Sequence, residues 1–226
     1  MGRPPGRTLT HAEARRVYDR IGAAQDTQAF YEDRAARLLL RHGAFESAER
    51  VLEFGCGTGR FAFRLLSQHL PGTAHYRALD SSPRMVALSR ARLAPFGARA
   101  EVVLTDGGPP ASEPSASRDR FVSTYVLDLL AEDDVAAVLR EAHRILAPGG
   151  LLCLAGLSTG ARAIPRLVAR AWTRVHALRP AWVGGCRPLE LLPRLRPEAW
   201  RIRQHAALAP FGVPSEALVA ERLPTR

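Results

Sequence analysis

The sequence predicts an α/β fold, in which a doubly wound and mostly parallel sheet is covered by helices on both faces. Between residues 50 and 157, short apolar segments typical of strands alternate with segments typical of helices. The predicted strands are apolar almost throughout, as expected of strands buried on both sides. After residue 157 the alternation stops, and residues 198–226 contain two further strand segments typical of an antiparallel hairpin.

Length and composition are compatible with one domain. The chain has 226 residues, of which 46% are hydrophobic, enough to bury a sizeable core. No apolar run has the length of a membrane span, and the first residues lack the apolar segment of a signal peptide, so we expect a cytoplasmic protein. The three cysteines lie far apart, which predicts neither a metal cluster nor a disulfide framework.

Residues 1–47 predict an N-terminal helical cap. Thr10 followed by Glu13 is a capping-box pattern, which predicts a short helix through about Ile21. A second helix is predicted over residues 27–42, with Gly43 ending it.

Residues 48–157 predict the core of the sheet. The predicted strands are 50–54, 75–80, 100–105, one within 120–130, and 149–157, and the predicted helices are 60–70, 83–93 and 132–146. Residues 106–119 are rich in Gly, Pro and Ser and predict a loop.

Residues 158–197 predict an inserted lid, and residues 198–226 the closing hairpin, with strands at 200–208 and 216–223 that bring the sheet to seven. The lid contains an amphipathic helix over 161–178. Its apolar stripe comprises Ile164, Leu167, Val168, Ala171, Val175 and Leu178.

The segment VLEFGCGTGR, residues 51–60, places a glycine-rich turn directly after the first strand. Ligands of open parallel sheets bind at the carboxyl ends of strands, and glycines let the backbone approach a ligand closely. The spacing Gly55, Gly57, Gly59 differs from the dinucleotide motif, whose third glycine would fall on Arg60. Glu53 would repel a pyrophosphate but attract an ammonium group. The segment therefore favours a cationic nucleoside without phosphates.

Two further strands end in carboxylates. Asp80 can accept hydrogen bonds from both ribose hydroxyls, although the sequence alone also allows it to cap the next helix, with Ser81 or Ser82 as alternative caps. Asp106 and the N–H of Gly107 can contact an adenine ring, although an Asp-Gly turn is an equal alternative.

Taken together, these strand ends resemble those of class I S-adenosylmethionine-dependent methyltransferases, over about residues 48–157. The Pro-Gly-Gly within HRILAPGGLLCLAGL, residues 143–157, strengthens the resemblance, which implies a Rossmann-like fold and S-adenosyl-L-methionine as cofactor. It also implies cofactor contacts along three strand ends and at the end of the fourth. These residues are Glu53, Gly55, Cys56, Gly57, Gly59, Asp80, Ser81, Asp106, Gly107 and Thr124.

The segment VYDRIGAAQD, residues 17–26, is similar to the entry segment of ubiquinone and menaquinone methyltransferases. Tyr18, Asp19 and Asp26 match that pattern, but Gln25 replaces its second aromatic residue. This departure argues against a quinone as the acceptor.

The residues after the fourth strand are expected to face the methyl group. Thr124, Tyr125 and Asp128 lie near this strand end. Methyl transfer from a sulfonium depends mainly on orientation, and a base is needed only where the acceptor must lose a proton. Tyr125 and Tyr18 are the catalytic candidates, as positioning or proton-relaying groups. Their alternatives are a pocket wall for Tyr125 and helix packing for Tyr18.

The distribution of charge along the chain indicates which kinds of partner the protein could bind. The net charge is +10 and every one of the 32 basic residues is arginine, which is typical of a compositional bias. Residues 162–203 nevertheless carry ten arginines and two glutamates, and the helix at 162–178 places an arginine every fourth residue. Such a helix predicts either peripheral contact with an anionic membrane or a solvated face. The Pro-Pro-aromatic signature of DNA amino-methyltransferases is absent, which disfavours nucleic acid.

Three functions therefore stand as hypotheses. The first is methyl transfer to a small-molecule or lipid-like acceptor. The second is a non-catalytic module that binds S-adenosylmethionine, and the third is a nicotinamide-dependent oxidoreductase, which Glu53 and Arg60 disfavour. The sequence leaves the acceptor, its reacting atom and the oligomeric state undetermined.

Overall fold

The computed structural model describes residues 8–160 and 163–224, which contain one seven-stranded sheet. The strands are β1 (Arg50–Phe54), β2 (His75–Asp80), β3 (Ala100–Leu104), β4 (Arg118–Thr124), β5 (Leu146–Leu157), β6 (Trp200–Leu208) and β7 (Ser215–Arg222). Their order is β3-β2-β1-β4-β5-β7-β6, and β7 runs antiparallel to both neighbours. The predicted fold class is confirmed, including the closing hairpin.

Six α-helices surround the sheet within the described residues. They are α1 (His11–Ile21), α2 (Ala29–His42), α3 (Arg60–Gln68), α4 (Pro83–Leu93), α5 (Glu132–Ile145) and α6 (Ala163–Leu178). The capping box at the start of α1 is confirmed, because Thr10 and Glu13 each bond the other's backbone N–H.

Several predicted boundaries are displaced by one to three residues, and two of the displacements have a visible cause. Helix α2 begins two residues after the predicted start because residues Gly22–Gln28 form a 3-10 segment, in which the Thr27 hydroxyl donates to the Ala24 carbonyl. Strand β5 begins at Leu146 rather than at Gly149, because the strand continues through the Pro-Gly-Gly segment with a register shift against β4. An irregularity of this kind lets a strand accommodate glycine and proline.

The core lies on both faces of the sheet. Val51 packs into one apolar cluster and its neighbour Leu52 into another, since successive residues of a strand point to opposite faces. Strand β1 lies between β2 and β4: the chain passes from β1 to β2 and β3 on one side of it and then returns to β4 on its other side. This is the switch point of the strand order, where ligands of such folds bind.

Helix α6 has a buried face and an exposed apolar face. The buried face carries Ala169 and His176, and the half-buried Trp172 donates its Nε1–H to the Cys186 carbonyl at 2.9 Å. Most of the predicted apolar stripe points away from the protein, with Leu167 66% and Leu178 79% exposed. Periodicity predicted the stripe correctly but could not indicate which way it faces. Arg162 lies outside the described residues.

The parts of the chain that the structure describes contain neither a helix suited to crossing a membrane nor a metal-binding cluster. No helix there combines the length and apolar character that crossing a membrane requires. No group of three or more His, Cys, Asp or Glu side chains there has the arrangement of a metal site.

Candidate functional site

A cleft opens at the carboxyl ends of β1, β2 and β4. It contains about 1080 Å³ of empty space, part of it open to solvent, and the N-terminal helices cover one side. The predicted residues that line it are Tyr18, Gly55, Cys56, Gly57, Asp80, Ser81, Gly107, Thr124 and Tyr125. Glu53, Gly59 and Asp106 lie outside this wall.

Two glycines of the turn after β1 serve different purposes. A Cβ on Gly55 would lie 2.3 Å from the Cγ2 of Val126, so the fold itself requires glycine there. Gly57 has a φ of +53°, and a Cβ there would meet no protein atom within 4 Å. Gly57 therefore presents bare backbone to the open cleft.

Gly59 serves the packing of helices. It precedes α3 with a φ of +77°, and a Cβ there would lie 2.5 Å from the Ser89 Oγ of α4. The close contact between α3 and α4 thus depends on Gly59. This packing explains why the residue is glycine, and no ligand is needed to account for it.

Asp80 closes the glycine turn from the neighbouring strand. Its Oδ2 accepts the Gly57 N–H at 2.8 Å and its Oδ1 accepts the Ser82 N–H at 2.9 Å. The Ser82 side chain caps α4 by accepting the Met85 N–H, and Ser81 lines the cleft. Burial raises the pKa of Asp80 above its ordinary value. Helix capping is thereby assigned to Ser82, and the ribose role of Asp80 stays a prediction.

Asp106 adopts the turn that was the alternative to an adenine contact. Its exposed side chain accepts the Gly108 N–H at 2.9 Å. Gly107 lies on the cleft wall with its backbone near Ser81 and His11. Of the pair predicted to bind adenine, Gly107 alone lines the cleft in the described structure.

Glu53 lies beneath the glycine turn. It is 1% exposed, its Oε2 accepts the Tyr76 hydroxyl at 2.9 Å, and its Oε1 has no hydrogen-bond partner among the described residues. Burial raises its pKa to about 8. A buried oxygen without a partner is the kind of acceptor that an ammonium group or a water can satisfy.

The N-terminal region is tied to the core by four carboxylates, which we call the clasp: Asp19, Asp26, Glu32 and Asp33. Arg60 pairs with Glu32 at 3.1 Å and with Asp33, so the arginine that breaks the dinucleotide motif anchors α2 to α3. Sequence reasoning missed this role, because nothing in the spacing of these residues links them.

The other half of the clasp holds the 3-10 segment and α1. Asp26 accepts the Thr58 hydroxyl at 2.5 Å and the Arg92 guanidinium at 2.6 Å. Asp19 accepts the Ser82 hydroxyl at 2.5 Å. The matched residues of the entry segment therefore fasten the cover over the glycine turn.

Tyrosines surround the end of the cleft beyond β4. Tyr125 has a φ of +56°, rare for an aromatic residue, and its hydroxyl donates to Ser215 at 3.0 Å. The Tyr31 ring packs edge-on against Tyr125 at 5.6 Å, and the Tyr18 hydroxyl lies 3.8 Å from the Cys186 Sγ. Burial raises the pKa of all three tyrosines, which keeps them protonated at neutral pH.

The comparisons with known proteins agree with this architecture. Residues 51–150 match the family described as a methyltransferase domain. These residues form a class I methyltransferase domain. Its glycine turn and the ends of β2 and β4 form much of the cleft wall, and the remaining wall comes from the N-terminal cover.

Two curated relatives are malonyl-[acyl-carrier protein] O-methyltransferases. The protein from Serratia marcescens is 27% identical over 163 residues, covering 72% of this chain and 58% of the relative. The one from Dechloromonas aromatica is 32% identical over 155 residues, covering 67% and 53%. The chain thus spans little more than half the length of these relatives.

A solved structure shows the same fold over nearly the whole chain. It is an O-methyltransferase family protein from Burkholderia thailandensis, with a TM-score of 0.74 and 13% sequence identity, and the match covers 96% of this chain and 62% of that protein. At this identity the likeness establishes the fold of the methyltransferase domain and leaves its reaction open.

Proposed function

We propose that this chain is a cytoplasmic enzyme that transfers a methyl group from S-adenosyl-L-methionine to a small-molecule or lipid-like acceptor. The observation that carries the proposal is the pairing of Gly57 with Asp80 in a large cleft at the switch point of the sheet. The exposed backbone of Gly57 lies beside the carboxylate of Asp80 at the end of a strand, which is the arrangement that binding of a nucleoside requires.

The residues present fit this cofactor. Asp80 would hold the ribose, Gly57 would allow the methionine part to pass close to the backbone, and Ser81 and Gly107 would border the base. The cofactor supplies an activated methyl group, and the protein's contribution is to orient the acceptor against it.

The charge of the cleft wall favours a cationic ligand over a phosphorylated one. Asp26, Glu32 and Asp80 line the cleft, and the arginine on its wall, Arg60, is paired with the clasp. A dinucleotide pyrophosphate would meet more carboxylates than free cations there. This disfavours the nicotinamide-dependent alternative.

Calorimetry with S-adenosylhomocysteine and with NADH tests the proposal directly. We expect binding of the former and none of the latter. Transfer of labelled methyl groups to phenols, alcohols, amines and acyl carboxylates then separates an enzyme from a module that only binds the cofactor. Carboxylates belong in this set because the curated relatives are described as O-methyltransferases of a malonyl group.

We also propose that α6 rests on an anionic membrane surface, from which a lipid-like acceptor would enter. Three stripes run along this helix: a buried one, an exposed apolar one with Leu167 and Leu178, and an exposed basic one with Arg170 and Arg174. Trp182, 66% exposed, follows shortly after the helix. Apolar and basic stripes side by side, with a nearby tryptophan, suit a helix lying in the interface of a bilayer.

A further inference from the structure

Helix α2 has an exposed stripe that is basic and apolar and carries no acid. Phe30, Arg34, Arg37 and Arg41 are all exposed and recur at spacings of three or four residues, so they lie along one side of the helix. None of the three guanidiniums has a hydrogen bond or an ion pair with another described residue. The carboxylates of this helix belong to the clasp and pair with Arg60. The positive charge of the stripe is therefore not neutralised by the described fold.

The arginines of this stripe line a groove between α2 and the edge strand β6. Leu38 of α2 and Leu208 of β6 complete the wall of the groove. Guanidinium groups bind phosphate and carboxylate oxygens, and the leucines offer contact to apolar groups. The groove therefore suits an anionic amphiphile better than a ligand that is charged throughout.

Two exposed phenyl rings lie next to the groove. Phe30 is one turn before Arg34, and its ring packs edge-on against that of Phe211 at a centroid distance of 5.7 Å. The two side chains are 55% and 83% exposed, respectively. Phe211 also has a φ of +51°, which is rare and unfavourable for a bulky residue. Such strain is typically kept where it serves a function, and here it holds an apolar ring in solvent.

This region adjoins both α6 and the cleft. The turn that carries Phe211, Pro210–Gly212, contacts α2 and α6. From Phe30 the rings continue inward to Tyr31 at 5.1 Å, and from Tyr31 to Tyr125 of the cleft wall at 5.6 Å. The exposed rings are therefore the outer end of an aromatic series that reaches the cleft.

We propose that this stripe is a second membrane-contact surface, in which Arg34, Arg37 and Arg41 bind anionic lipid head groups and the rings of Phe30 and Phe211 insert at the boundary with the acyl chains. Arginines beside aromatic anchors are typical of surfaces that lie on bilayers. The partner is a lipid surface rather than an acidic protein or a nucleic acid, because apolar side chains accompany the charges. The surface is separate from α6 and from the cleft wall, so the inference can fail while both earlier proposals stand.

Sedimentation with mixed phosphatidylcholine and phosphatidylserine vesicles tests the arginines. Arg37→Gln/Arg41→Gln should weaken binding about thirtyfold at low salt and by less at high salt, where charges are screened. The matched control is Arg140→Gln/Arg196→Gln, which removes the same charge from two exposed positions. Arg140 belongs to α5, which packs on the opposite face of the sheet from α2. The control should bind as the wild type does.

Phe211→Asn tests the ring. Asparagine tolerates a positive φ, so the variant should fold at least as well as the wild type. Vesicle binding should weaken about tenfold at both low and high salt, because insertion of an apolar group is not screened. Phe63→Ala is the control, since Phe63 is also exposed and packs edge-on against a phenylalanine, Phe96, but on α3. S-adenosylhomocysteine affinity should be unchanged in every variant.

Three results would overturn the inference: wild type that does not bind the vesicles, Arg37→Gln/Arg41→Gln that binds as well as its control, or Phe211→Asn that binds as well as Phe63→Ala. Polyglutamate and single-stranded RNA are titrated in parallel. Binding of either one without vesicle binding would assign the stripe to an acidic protein or a nucleic acid and also overturn the inference. Arg170 and Arg174 are intact in all of these variants, so the α6 proposal is judged separately, and failure of S-adenosylhomocysteine to bind would count only against the proposed methyl transfer.

Discussion

The backbone N–H of Gly57 donates to the carboxylate of Asp80 at 2.8 Å, joining the turn after β1 to the end of β2. One carboxylate therefore holds the shape of the glycine turn and faces the space where a ribose would lie. Binding and local structure are coupled at this residue, which determines how its substitution must be tested.

Asp80→Ala should weaken S-adenosylhomocysteine binding by about ten- to hundredfold, because charge-assisted hydrogen bonds contribute about 1.5–3 kcal/mol each. Asp119→Ala is the matched control. Asp119 also accepts two backbone N–H groups, from Glu49 and Arg50, but at the opposite end of β1. Both variants should lose stability in urea titrations, and only Asp80→Ala should lose affinity by calorimetry. Equal affinities in the two variants would show that Asp80 does not contribute to cofactor binding.

Gly57→Ala should abolish stabilisation by the cofactor while costing the apo protein only about 1 kcal/mol, the strain of a positive φ. Gly149→Ala carries the same kind of strain, since Gly149 has a φ of +78° and open space around it, but it lies at the far end of β5. Thermal shifts with S-adenosylhomocysteine should therefore separate the two variants. A full ligand shift in Gly57→Ala would mean that the turn is misassigned.

Glu53 should make the protein less stable as the pH rises, which is opposite to the effect of a carboxylate whose pKa is lowered by folding. Its pKa is about 8 in the folded protein against about 4.5 ordinarily, so the folded state binds a proton that the unfolded state releases in this window. Wild-type stability therefore falls as pH rises from about 4.5 through 8. Glu53→Gln lacks this loss, and its unfolding free energy relative to wild type should increase from pH 5 to pH 9.

Glu113→Gln is the comparison for Glu53. Glu113 is also buried but pairs with Arg77 and Arg118, so its amide variant should be less stable than wild type at both pH values. A relative stability of Glu53→Gln that does not change with pH would contradict the burial argument.

The clasp should control how fast the ligand leaves. Arg92→Met removes the bonds to Asp26 and Thr58, a half-exposed ion pair that contributes about 0.5–1 kcal/mol, so dissociation of S-adenosylhomocysteine should be about two- to fivefold faster. Arg90→Met changes the same helix but removes only bonds to the Val102 carbonyl. Stopped-flow dissociation should distinguish them, and identical rates would show that the clasp does not gate the cleft.

Helix α6 should bind anionic vesicles if it rests on membranes. Replacing Arg170 and Arg174 by glutamine should weaken sedimentation with phosphatidylserine vesicles at low salt about thirtyfold, from about 1 kcal/mol per basic residue. The control replaces Arg196 and Arg201, two exposed arginines near and in β6, by glutamine. If wild type ignores these vesicles, or both double variants bind equally, the membrane proposal is wrong.

Most of the fold was predictable because its strands and helices follow from local sequence patterns. Alternating apolar segments gave all seven strands, and the Thr10–Glu13 capping box gave the start of α1. The same holds for the strand-end positions of Gly57 and Asp80, which follow from the fold class once the strands are known.

What could not be predicted depends on contacts between distant parts of the chain. Arg60 pairs with Glu32 and Asp33 across 28 and 27 residues respectively, and no spacing rule connects them. Asp128, expected to face the methyl group, instead lies outside the cleft wall, where its Oδ2 accepts the Leu157 N–H of β5. Asp106 is a different case, because its side chain accepts a hydrogen bond within its own turn, which is the alternative that the sequence alone allowed.

The cleft has a floor and a roof that come from different stretches of the chain. The floor belongs to the turns after β1, β2 and β4, whereas the roof comes from α1, the 3-10 segment and α2. Substitutions of roof residues outside the clasp can therefore reshape the space for an acceptor without disturbing the cofactor contacts beneath. Under the proposed function, such a fold can exchange one acceptor for another through changes in residues 8–33 outside the clasp, while its methyl donor stays the same.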